Sequence, residues 1–245
     1  MIDLKTENLL INKEVNEKLE SILQRKAFSN GYIFYGPEGI GKKQTAMKFI
    51  MEIFNKYSSN SNIEKKIIDK NHPDFLLIEP TYFFKGNLIN RSEAEPTKNN
   101  KETIRIEQIR NLKTFLGQKS IESGGKIILI DDAHLMNEAA SNCLLKTLEE
   151  PSNGIFILLT SRLNLLLDTI ISRCQLIRFK AFSYKKLEIF IRNNLDSTVL
   201  DIYKEIIRIE QIRNLKTFLG QKSIESGVKI VLIDDAHLML SLIHI

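Results

Sequence analysis

A chain of 245 residues, 43% hydrophobic and 27% charged, is long enough for one full core and part of a second, and its composition excludes a fibrous or wholly disordered protein. Thirty-five basic against 30 acidic residues leave a net charge of +5, a mild bias spread through alternating Lys and Glu, which reads as solvated helix faces rather than a nucleic-acid patch. No apolar run approaches the ~18 residues of a membrane span, the N-terminus lacks a basic-then-apolar signal pattern, and Cys143 and Cys174 form no CxxC pair, so a cytoplasmic protein with reduced thiols, no membrane partner and no metal or zinc site is expected.

In chain order, Leu10, Val15, Leu19, Ile22 and Leu23 recur at helical spacing between Leu9 and Ala27, an amphipathic helix or pair of helices. Tyr32 to Tyr35 is a β-prone run that feeds the turn Gly36-Pro37, and Ala46, Phe49, Ile50 and Ile53 return to helical spacing from Lys42 to Lys56. Phe75 to Ile78 reads as a strand closed by Pro80, and Thr81 to Lys101 as a functional or disordered loop, with disorder favoured at Asn99-Asn100. A helix over Ile104 to Leu116 precedes Ile127 to Ile130, apolar on both faces as a central parallel strand should be. A helix from Glu138 to Glu149, stopped by Pro151, and strands at Ile155 to Thr160 and Gln175 to Phe179 continue the alternation. Tyr184 to Asn193 and Thr198 to Ile207 read as helices of a separate small unit. Strands alternating with helices predict an α/β fold built on a doubly wound parallel sheet of about five strands.

One repeat interrupts this order. Residues 105–136 recur at 208–239 with two differences, Gly125 against Val228 and Ile128 against Val231. A solenoid repeats a whole supersecondary unit several times, whereas this is one fragment present twice, with the second copy stopping partway. Lys101-Glu-Thr-Ile and Lys204-Glu-Ile-Ile also resemble each other at the junction, where two templates could be spliced. The copy with its tail, 208–245, is therefore expected to be artefactual.

The chemistry-bearing residues lie before the copy. Gly36-Pro-Glu-Gly39-Ile-Gly41-Lys42-Lys43 matches the phosphate-binding pattern GxxxxGK[ST] through its lysine. Glycines let backbone N–H groups turn around phosphate oxygens, the helix N-terminus adds partial positive charge, and Lys42 would reach the β and γ phosphates of ATP. Lys43 replaces the hydroxyl that ordinarily ligates Mg²⁺, which leaves metal placement and hydrolysis unsupported unless Gln44 or Thr45 substitutes. In Lys126-Ile-Ile-Leu-Ile-Asp131-Asp132-Ala-His134, an apolar strand ends in an acid that could hold Mg²⁺ through water, with Asp132 where an active ATPase usually carries Glu. His134 in that strand-to-helix turn reads as structural, and Cys143 as a small core residue.

Asn137 to Pro151, containing Leu-Leu-Lys-Thr-Leu-Glu-Glu-Pro, and Thr169-Ile-Ile-Ser-Arg-Cys-Gln175 resemble the clamp-loader branch of the AAA+ ATPases. Within it, His72-Pro-Asp-Phe75 and Ile78-Glu-Pro80 are similar to the delta-prime subunits of bacterial DNA polymerase III. The resemblance implies a P-loop AAA+ core over 1–180, part of a small helical lid over 181–207, and a missing collar domain. It assigns Arg173 as an arginine finger reaching a neighbour's ATP site, Thr160 and Ser161 as the polar sensor of the γ phosphate, and Gly36, Gly39, Gly41, Lys42 and Lys43 as the ATP/Mg²⁺ loop. The implied partners are gamma/tau and delta subunits and, through the complex, the sliding clamp and primed DNA. A catalytically active gamma/tau-like motor and a P-loop kinase are the alternatives; Lys43 and Asp132 weigh against the first, and the second leaves Ser172-Arg173-Cys174 unexplained.

Overall fold

The computed structural model describes residues 12–25, 28–57, 62–84, 87–91, 101–122, 125–149 and 154–181. The chain divides into two compact units, Met1–Ser183 and Tyr184–Ile245, and every described residue lies in the first.

Helix α1 (Lys13–Arg25) turns Val15, Leu19, Ile22 and Leu23 inward and leaves its Lys and Glu residues in solvent. Strand β1 (Gly31–Tyr35) leads through a glycine turn into α2 (Lys42–Tyr57), and the short α3 (Ile63–Ile68) returns the chain to β2 (Phe75–Ile78). After a hairpin, α4 (Ile106–Gly117) leads to β5 (Lys126–Ile130), α5 (Glu138–Glu149) to β6 (Gly154–Thr160) and α6 (Asp168–Ile171) to β7 (Gln175–Arg178). The five strands form one parallel sheet in the order β2-β5-β6-β1-β7. This is the expected doubly wound sheet.

Alternation along the strands divides the core between the two faces. Tyr32, Phe34, Ile127 and Leu129 pack with α1, α2 and α3 through Phe49, Ile50, Phe54 and Ile67. Ile33, Ile128, Ile130 and Leu158 pack with α4, α5 and α6 through Ile109, Leu112, Leu144 and Ile170. All five residues of β5 are buried, as its lack of polar alternation predicts.

The segment expected to be a loop after Thr81 is partly structured instead. Thr81–Phe84 (β3) and Asn87–Asn90 (β4) pair antiparallel, Thr81 opposite Asn90, and the Arg91 N–H donates to the Pro80 carbonyl at 3.1 Å. The β-prone Thr-Tyr-Phe-Phe run and its cross-strand hydrogen bonds outweigh the polar flanks. Tyr82, fully buried, anchors the hairpin. The next helix starts at Ile106 rather than Ile104, because Ile104 bridges to Met136. Strand β7 ends at Arg178, one residue short of the predicted Phe179. Cys143 is only half-buried, although it packs beside the core cluster. Asn99-Asn100, the expected helices and lid between 181 and 207 apart from Ala181, and the copy 208–245 lie outside the described residues.

Candidate functional site

The site is assembled where β1, β5 and β6 end, at the carboxyl edge of the sheet, where open α/β sheets place ligands. Gly36, Gly39 and Gly41 have φ of +155°, +71° and +89°. Those values suit glycine and let the loop wrap before α2 begins. At Gly36 the constraint is also steric, since a Cβ would lie 2.4 Å from the Phe179 carbonyl oxygen. The first N–H groups of α2 have no intrahelical acceptor, so loop and helix end together make an anion cradle.

The two lysines behave differently. Lys42 is buried, and its Nζ donates to the carbonyls of Gly36 at 2.8 Å and Pro37 at 2.6 Å, across its own loop. Burial lowers its pKa, opposed by the charges of Asp132, Glu38 and Asp131. Lys43 turns toward the sheet, where its Nζ donates to Asp131 Oδ2 and to Glu79 Oε1, each at 2.9 Å. Burial pulls its pKa down, but the Asp131 and Glu79 carboxylates outweigh that and raise it.

Strand register explains this arrangement. Ile78 pairs with Ile130, so the residues that follow, Glu79 and Asp131, leave adjacent strand ends side by side. Their side chains are 8% and 16% exposed, and two carboxylates so placed repel unless a cation separates them. Lys43 provides it, and Lys70, at φ +57°, adds a second ammonium 2.6 Å from Glu79 Oε2. Asp132, at φ +45°, accepts from Arg91 Nη1 at 2.5 Å, and Arg91 also pairs with Glu102. Desolvation of Arg91 is overcome by these two carboxylates, and its pKa rises.

His134 is held by structure: its Nδ1 lies 3.2 Å from Thr160 Oγ1, and burial keeps the ring below its ordinary pKa. Ser161 Oγ donates to Glu38 Oε1 of the glycine loop at 3.2 Å, which puts the expected sensor position beside the cradle. Thr45 turns its hydroxyl back onto its own helix, donating to the Gly41 carbonyl at 2.9 Å. Arg173 is not part of this cluster. Its Nη1 donates to the Thr169 carbonyl at 2.8 Å and its Nη2 to Glu149 Oε1 at 2.7 Å. Next to it, burial pushes the Cys174 thiol up to about 11, which keeps it protonated and unreactive.

Gly36, Gly39, Gly41, Lys42, Lys43, Asp131 and Ser161 thus lie at one edge of the sheet, and Asp132, next to Asp131, turns to Arg91. Glu79, Lys70, Arg91 and Glu38 join them without a linear pattern that marks them as site residues. Glu79 stood in the Ile-Glu-Pro run that carried the family resemblance, a signal available before its partner was known. The residues present suit the phosphates of a nucleotide, held by the loop N–H groups and by Lys42 once it releases its carbonyls. They do not suit Mg²⁺: the hydroxyl position carries an ammonium, and that ammonium holds the acid that would face the metal. Among the described residues no group of three or more His, Cys, Asp or Glu could hold a metal ion.

Residues 11–183 match the protein family described as "DNA polymerase III, delta subunit". The chain belongs to this clamp-loader family. Over 157 residues it is 34% identical to DNA polymerase III subunit delta′ of Pseudomonas aeruginosa, covering 61% of this chain and 43% of that protein. Over 189 residues it is 30% identical to subunit delta′ of Bacillus subtilis, covering 72% and 52%. The chain therefore spans about half the length of these curated relatives. Bacillus subtilis subunit tau is 27% identical over 204 residues, 83% of this chain and 34% of that one. The crystal structure of a DNA polymerase III gamma subunit-related protein from Thermotoga maritima shares the fold, with a TM-score of 0.54 at 20% identity over 78% of this chain and 53% of that one. The sheet is thus of the P-loop AAA+ type, and in this clamp-loader family member both strand-end acids are already paired with cations of the same chain.

Proposed function

We propose that the protein acts as a delta-prime-like clamp-loader subunit, lending Arg173 to the nucleotide site of a neighbouring gamma/tau ATPase while the loader, with delta, places a sliding clamp on primed DNA in the bacterial cytoplasm. The observation that carries this reading is the position of Arg173. It precedes β7 and lies level with the start of β1, where its carbonyl oxygen is 3.7 Å from a Cβ built at Gly31, whereas the glycine loop follows the end of β1. Five strand residues separate the two ends, about 16 Å at ~3.3 Å per residue. A guanidinium there is badly placed for its own loop and well placed for another molecule. Its pairing with Glu149 is shallow, with side chains 38% and 47% exposed. Such surface pairs are worth about 0–1 kcal/mol, so a phosphate can outcompete the carboxylate. A planar guanidinium then donates bidentately to the charge that develops in phosphoryl transfer.

The test is a loader reconstituted with the organism's own gamma/tau and delta subunits. Arg173→Ala should lower DNA-stimulated turnover at the site it serves by ~10³ while assembly by size exclusion is unchanged. Arg173→Lys should not restore it, because a point charge lacks the fork. Unchanged turnover in Arg173→Ala would overturn the reading. A motor reading fits less well with acids held by Lys43 and Arg91, and ATP turnover that depends on this chain's own Lys42 would favour it.

A further inference from the structure

We infer that the Lys43 ammonium is the resident cation of this P-loop, standing in the place of the divalent metal, so that the site is built to hold its acids together without Mg²⁺ and to exclude the ion. The inference concerns the chain's own acids and is independent of what Arg173 does.

Two positions define where a P-loop keeps its metal: the residue after the loop lysine, whose hydroxyl ligates the ion, and the acid at the end of the neighbouring strand. Lys43 occupies the first and its Nζ is 2.9 Å from Asp131 at the second. The same nitrogen is 2.9 Å from Glu79, so one ammonium bridges two carboxylates whose side chains are only 16% and 8% exposed. A divalent ion brought to Asp131 would have to displace a neutralising charge already in contact, and where a P-loop ordinarily supplies a hydroxyl it would meet that ammonium instead. The second strand-end acid is closed in the same way, Arg91 lying against Asp132. The ammonium also does mechanically what the metal does in a P-loop, tying the first turn of α2 to the ends of β5 and β2, but permanently and with no dependence on the ligand.

The experiment uses the full chain, its wild type and the variants Lys43→Met, Lys43→Ser, Asp131→Asn and Lys43→Ser/Asp131→Asn. Mn²⁺ is the probe, followed by the loss of its free EPR signal and by thermal melting against EDTA. Wild type should bind no Mn²⁺ at millimolar concentration and melt identically in both buffers. Lys43→Met and Lys43→Ser should melt lower in EDTA by about 4–8 °C, the range for a half-exposed cation taken from two buried acids in a chain of this size. Mn²⁺ should restore Lys43→Ser, which bears a hydroxyl, but neither Lys43→Met nor the double variant. An Mn²⁺ ion bound by wild type and lost with Asp131→Asn would overturn the inference, and that measurement stands even if the variants fold poorly. So would a Lys43→Met protein that melts with wild type, or a Lys43→Ser protein that takes up no Mn²⁺.

Discussion

At Gly36, backbone conformation and space impose separate demands. Its φ of +155° is strained for any side chain, and a Cβ would run into the Phe179 backbone, which cannot withdraw because the Phe179 N–H donates to the Tyr35 carbonyl at 2.7 Å. Gly39 shares only the first demand: at φ +71° it has nothing within 4 Å of its Cβ position. The two alanine variants should separate the effects. Gly39→Ala is expected to cost about 1–2 kcal/mol, the penalty of an L residue in the left-handed region. Gly36→Ala adds a backbone clash and should cost about 3 kcal/mol or more. Urea unfolding of both proteins measures the difference, and equal midpoints would show that the loop can move away from Phe179.

Between elements, the His-Pro-Asp-Phe run that marks the family holds the sheet rather than a ligand. Asp74, fully buried just before β2, accepts from the Ser120 hydroxyl and from the N–H groups of Ile121 and Glu122, thereby fastening the turn between α4 and β5. His72 accepts from the Asp74 N–H through Nδ1 and stacks on Phe54 with ring centroids 4.3 Å apart. Asp74→Ala would take the acceptor from three donors on a partly exposed turn and is expected to cost about 1–3 kcal/mol, whereas Asp74→Asn keeps an acceptor oxygen and should cost about half as much. Comparison of the two by chemical denaturation, with like losses counting against the capping role, checks it. These elements also show what a single sequence can carry. The strands Tyr32–Tyr35 and Ile127–Ile130 and the amphipathic α1, α2 and α5 were legible because four or more apolar residues keep one period. The hairpin of Thr81–Phe84 and Asn87–Asn90, the six residues of α3 and the four of α6 are too short to establish a period. In the site, the glycines, Lys42 and Asp131 announce themselves by spacing. Glu79 and Arg91 become functional neighbours only through strand register and hairpin pairing, neither of which a linear pattern contains.

On the scale of the molecule, the described core closes on itself between Val15 and Phe179, with both faces of the sheet covered by helices from within that span. The family match ends at residue 183, next to the boundary of the first compact unit. Residues 208–239 repeat the sequence of α4 and β5, including Lys229 to Ile233, which differs from β5 only at Val231. The sheet has one place for such a strand, between β2 and β6, and β5 fills it with every residue buried. Two near-identical segments in one chain therefore offer folding a choice between equivalent pairings, the kind of frustration that favours misassembly. We propose that 208–245 adds nothing to the stability of the core. A chain ending at Ile207 should melt at the same temperature as the full chain and should scatter less light on refolding from urea. A truncated protein that melts several degrees lower would show instead that 208–245 stabilises the core.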